Sequence, residues 1–155
     1  MLAGVLIPSP QRTTDRWPAE VWRRFEALQI GDGTGYCVVI HHCQRLDDIG
    51  ELLYRWPKLT IIVRFHWPIG DARPALVLDA RKYEDQPSLR ETLTLLSPYR
   101  SQVVLELGNE ENVETQAGTM PQQFLTWWQV NVMAIKHEFP SIKILVFALS
   151  PSDTE

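Results

Sequence analysis

Apolar residues along this 155-residue chain follow two periods in alternation. Short, nearly unbroken apolar runs occupy Ala3 to Ile7, Tyr36 to His41, Leu59 to Phe65, Val103 to Leu107 and Ile142 to Leu149. Their length and β-branched content predict five strands, buried on both faces. Between them apolar residues recur at helical spacing: Val21, Trp22, Phe25 and Leu28; Ile49, Leu52, Leu53 and Trp56; Leu89, Leu93 and Leu96; then Phe124, Trp128, Val132, Ile135 and Phe139. These stripes predict four helices.

Punctuation agrees with the periods. Pro8 and Pro10 close the first strand, and Pro18 sits near a helix start, where its missing N–H costs nothing. Gly31, Gly33 and Gly35 break the first helix. Asp47 or Asp48 is placed to cap the second, and Pro57 stops it. The third is expected to begin near Pro87. Thr119 and Gln122 have capping-box spacing before the fourth, with Pro121 in its first turn and Pro140 after its end.

Strict alternation of strand and helix predicts one α/β domain, residues 1–155, built from parallel βαβ units. Two architectures contain five such strands and four helices. One is a partial (β/α)8 TIM barrel, whose complete form needs about 250 residues. The other is an open doubly wound five-stranded sheet. A doubly wound sheet usually finishes with a covering helix, so an ending just after a strand favours the incomplete barrel. Unpaired barrel edges would then promote self-association. The one long loop, Pro68 to about Gln86, has the length of a functional segment.

Charge and composition exclude several roles. The formal net charge is −4 and there is no basic block, which argues against nucleic acid as a partner. No apolar run approaches the ~20 residues of a membrane span. Met1 to Ile7 lacks the positive residues and length of a signal peptide, so the chain as it stands reads as cytoplasmic. The two cysteines, Cys37 and Cys43, stand six residues apart on one extended segment, roughly 20 Å, beyond disulfide reach. Both are expected to be free and buried.

In parallel α/β folds the site lies at the carboxyl ends of the strands. Those ends read His41-His42-Cys43, Arg64-Phe65-His66-Trp67, Gly108-Asn109-Glu110-Glu111-Asn112 and Ser150-Pro151. Alternation puts Arg64 with His66 on one face of the third strand, and Glu106, Gly108 and Glu110 on one face of the fourth. Arg64 and Glu106 are therefore expected to pair, because a buried arginine demands a carboxylate.

The stretch Leu105-Glu106-Leu107-Gly108-Asn109-Glu110-Glu111-Asn112 resembles the strand-4 motif of the large barrel clan of retaining glycoside hydrolases. The clan often carries Asn-Glu-Pro-Asn; here Glu111 replaces the proline. The resemblance implies that Glu110 is the general acid/base and that Asn109 binds the sugar 2-hydroxyl. It implies pocket roles for Arg64, His66 and Trp67; His41 joins them from its place at the end of the second strand, and Trp67, directly after the third, offers an aromatic face for stacking a carbohydrate substrate. The clan's nucleophile ends strand 7, which these five strands do not include, so the chain alone is expected to be inactive. No cofactor is implied.

Other chemistries fit less well. His41, His42, Cys43, His66 and Glu110 supply zinc-ligand types, but adjacent strand residues point oppositely, so no metal site is assigned. The glycines at 31, 33 and 35 precede a strand instead of opening a helix, unlike a dinucleotide fingerprint. One of Trp127 and Trp128 is expected in the core, and Asp79 and Asp85 in solvent. The alternative from another class is a non-enzymatic α/β domain that binds a carbohydrate or small ligand in the same pocket.

Overall fold

The structure is a computed structural model that describes residues 3–6, 17–27, 35–40, 46–65, 74–81, 84, 86–108 and 121–145. In chain order these form β1 (Ala3–Leu6), α1 (Ala19–Ala27), β2 (Gly35–Ile40), α2 (Leu46–Arg55), β3 (Thr60–Phe65), α3 (Leu89–Leu95), β4 (Val103–Leu107), α4 (Pro121–Glu138) and β5 (Lys143–Leu145). A short 3-10 turn, Ser97–Tyr99, follows α3. All strand pairings are parallel, and the order across the sheet is β1-β2-β3-β4-β5. The α/β class and the parallel sheet are thus as the sequence predicts, and the sheet is open among the described strands. Its order runs straight through, without the reversal that defines a doubly wound sheet.

Sequential order has a geometric consequence. Right-handed crossovers that always step in the same direction lay every helix on the same side of the sheet. The burial pattern agrees. Cys37, Val39, Ile61, Val63, Phe65, Val103, Leu105 and Leu107 are buried in one cluster with Phe25 of α1, Ile49, Leu52 and Leu53 of α2, Leu89 and Leu93 of α3, and Ile135 of α4. The alternate positions form the second face. Val38, Ile62 and Arg64 are half-buried there, and Lys143 and Leu145 are exposed. Register lines up Val38, Ile62, Val104 and Lys143 in one row and Ile40, Arg64, Glu106 and Leu145 in the next.

Local contacts explain the elements. Trp22 of α1 stacks on Trp56 at 6.2 Å between centroids, and Phe25 meets the same ring at 5.7 Å. The Arg55 guanidinium lies 4.6 Å from the centre of the Trp22 ring. Asp48 lies inside the first turn of α2 rather than capping it, and its buried carboxylate accepts the Trp17 amide at 3.1 Å. Helix α3 carries the complete capping box, Ser88 with Glu91. Thr119, the residue expected to cap α4, lies outside the described residues, as do Ile7, Leu28 and the end of the fifth predicted strand. Gly35 opens β2, where the sequence suggested a helix breaker.

At the amino ends of the strands, Gln102 closes α2. Its side-chain amide donates to the carbonyls of Trp56 at 3.0 Å, Leu59 at 3.2 Å and Leu53 at 3.4 Å. Of these, the Leu53 carbonyl belongs to the last turn of α2, whose final carbonyls have no partner within the helix. The Gln102 carbonyl accepts the Ile61 amide at 2.7 Å. Among the described residues no helix is long and apolar enough to cross a membrane.

Candidate active site at the carboxyl ends of the strands

Of the six residues given site roles from the sequence, Arg64 is the one the structure describes. Glu110, Asn109, His66, Trp67 and His41 lie outside the described residues, together with His42, Cys43 and Asp85. The frame that leads to them is described, and it begins with an ion pair.

Arg64 and Glu106 are register partners on β3 and β4, on the face away from the helices. Arg64 Nε donates to Glu106 Oε2 at 2.7 Å and its Nη2 reaches Oε1 at 3.4 Å. The glutamate side chain is 6% exposed and the arginine side chain 23%. The expected pairing is therefore present. Two hydrogen bonds to one carboxylate fix the plane of the guanidinium.

Beyond this pair the backbone changes direction. Gly108 follows the last residue of β4 with φ 87°, a left-handed conformation that non-glycine residues avoid. Its N–H donates to the Phe65 carbonyl at 2.9 Å, which adds one more rung past the end of β4. Strict alternation thus ends at Leu107, and the expected common face of Glu106, Gly108 and Glu110 does not follow from strand geometry. Gly108 directly precedes Asn109 and Glu110 in the chain.

The long loop after β3 is pinned over its second half. Val77 and Leu78 are buried, and Asn131, buried on α4, holds them. Asn131 Oδ1 accepts the Val77 amide at 2.8 Å, and its Nδ2 donates to the Ala75 carbonyl at 3.1 Å and to Trp127 at 2.9 Å. Trp127 donates its indole N–H to the Pro74 carbonyl at 2.7 Å. Trp127 and Trp128 are both half-buried against the core, so neither is fully interior. Asp79 is exposed but paired: Arg90 donates to it at 2.7 and 3.1 Å, and this holds the Asp79 carboxyl below its usual range. Arg90 also pairs with Glu138, which ties α3 to α4. The Ser88 amide and Arg81 together lower Glu91.

Cys37 is buried on the helix side, as expected, and desolvation pushes its thiol up to about 12. It is a packed apolar group, not a nucleophile. No group of three or more His, Cys, Asp or Glu residues is placed to hold a metal ion among the described residues. A groove of about 200 Å³ is lined by Leu96, Ser97, Arg100, Phe139, Pro140 and Ile142. It precedes β4 and β5, at the end of the sheet opposite the candidate site.

Sequence reasoning missed three polar residues that position this frame: Gln102, Asn131 and Ser88. Two had a signal. Ser88 and Glu91 have capping-box spacing, and Asn131 interrupts the apolar stripe of α4 on its buried side. No protein-family model, curated protein or solved structure matches this chain.

Proposed function

We propose that this chain supplies the first five strands of a (β/α)8 retaining glycoside hydrolase, with Glu110 as general acid/base and Asn109 as the ligand of the sugar 2-hydroxyl. The observation that carries the reading is the sheet itself. Its strands run in sequential parallel order with helices on one face, and a polar pair, Arg64 and Glu106, stands on the other just before Gly108-Asn109-Glu110. A (β/α)8 barrel needs this order and an inward polar end at the carboxyl ends of its strands.

Cleavage of a glycosidic bond requires protonation of the leaving oxygen and then deprotonation of water. In a retaining enzyme one carboxyl performs both steps, while a second carboxylate about 5–5.5 Å away forms the glycosyl-enzyme. In the proposal Glu110 has the first role. The nucleophile belongs to a seventh strand outside these 155 residues, so the five strands alone bind saccharide without cleaving it. His66, Trp67, His41 and Arg64 line the pocket.

The product of the complete reading frame tests this. Glu110→Ala should abolish cleavage of glycosides with poor leaving groups and spare those with activated aryl groups, and added azide should restore turnover as the glycosyl azide. Unchanged hydrolysis in Glu110→Ala would refute the role. A protein that binds saccharides and cleaves none would move the conclusion to the binding-domain reading.

A further inference from the structure

The charge of Arg64 is already matched. Glu106 engages its Nε and Nη2, and neither residue has another partner among the described residues. Among the described residues this leaves the two N–H donors of the Nη1 end without an acceptor. Arg64 is 23% exposed and its partner is 6% exposed, so the pair meets the open face through the arginine. The nearest described charge on that face is Lys143, one residue row closer to the strand starts and two strands across. That is about 12 Å by strand geometry, longer than the ~8 Å over which salt screens exposed charges.

A bare arginine in such a place would recruit a carboxylate or phosphate. An arginine held by a buried carboxylate is different. Its free donors remain directional, but an anion brought to them also meets the charge of Glu106 and must give up its hydration. A neutral hydroxyl oxygen accepts the same hydrogen bonds without that repulsion.

Building on the carbohydrate reading above, we propose that the Arg64–Glu106 pair selects neutral sugars over uronic acids, with Arg64 donating to a ring hydroxyl and Glu106 as the positioning residue that cancels its charge. Glu106 acts only through Arg64 in this arrangement.

The test uses the 15N-labelled chain and the Nε–H signal of Arg64, assigned by its loss in Arg64→Lys. The probes are the methyl glycosides of glucose, galactose, mannose and xylose against those of glucuronic and galacturonic acid, at matched ionic strength. At least one neutral glycoside should shift the signal, and neither uronate should shift it as far. In Glu106→Gln the uronates should gain and the preference should narrow or reverse. Uronates that shift the parent signal as far as the neutral sugars do, or six probes that leave it unmoved, would overturn the proposal. If Glu106→Gln does not fold, the comparison of neutral and uronate probes on the parent signal still decides. The readout is independent of hydrolysis, so failure here is distinct from failure of the Glu110 assignment.

Discussion

Asn131 and Val77 lie 54 positions apart in the chain and are joined by a buried hydrogen bond of 2.8 Å from the Val77 amide to the Asn131 side-chain oxygen. The same amide group donates to Ala75 and to the carbonyl one turn back on its own helix. One side chain therefore anchors the half of the long loop that returns toward α3.

Asn131→Ala should cost about 2–4 kcal/mol, because it leaves a buried backbone N–H without its acceptor and removes two further hydrogen bonds. For a chain of this size that is a fall in Tm of roughly 4–16 °C. Urea unfolding with the midpoint followed by tryptophan fluorescence would measure it. Asn131→Asp should be milder at the Val77 bond and worse at the two carbonyls, which would face a carboxylate.

Gly108→Ala places a Cβ on a residue at φ 87°. The strain should be about 1–2 kcal/mol. Gly108→Asn should cost less, since asparagine tolerates that region. In the proposed glycosidase, Gly108→Ala should lower activity by more than its stability loss explains, because Gly108 directly precedes Asn109 and Glu110 in the chain. Equal stability of Gly108→Ala and the parent would refute the strain argument.

Glu106→Gln should destabilise the fold, since Arg64 is then left without its countercharge. Removing one partner of a fully buried pair costs 3–5 kcal/mol, and Arg64 is nearly a quarter exposed, so about 1–3 kcal/mol is expected here. The double variant Arg64→Leu with Glu106→Leu should recover much of that loss. Calorimetric melting of the single and double variants decides between a charge effect and a packing effect. An unchanged Tm in Glu106→Gln would count against both.

Cys37 gives a pH prediction. Its thiol titrates near 9 when solvated and near 12 when buried. Above pH 9 the unfolded chain loses a proton that the folded chain keeps. Its contribution is therefore complete below pH 9 and is lost as pH rises from 9 toward 12. In a Cys43→Ser background, Cys37→Ala should flatten the alkaline limb of the stability curve. In the same background, a thiol reagent at pH 8 should label Cys37 only at the rate at which the core opens.

The sequence was most legible where period and burial coincide. The β3 run alternates half-buried and buried residues along Thr60–Phe65, and its solid apolar character announced a covered parallel strand. The Arg64–Glu106 pair was legible because a buried arginine leaves few alternatives. Order across the sheet was not legible, since a barrel arc and a doubly wound sheet share the same alternation of elements. Asp48 was misread as a cap, because its partner, the Trp17 amide, is 31 residues away and no local pattern announces it. The turn at Gly108 was hidden for a similar reason. Glycine after a strand is compatible with continued extension, and nothing in the sequence around Gly108 distinguishes that from the positive φ found there.

The straight-through order of the strands also bears on how the chain finds its fold. Among the described residues, every strand pairs only with strands that adjoin it in sequence. No strand has to insert between two that have already joined, and each closure spans a single βαβ loop. Chains rich in such near-neighbour contacts assemble quickly compared with other sheets of the same size. The sheet can therefore grow outward from β2, β3 and β4, one unit at a time. Destabilising changes at β1 or β5 should speed unfolding and leave the folding rate almost untouched.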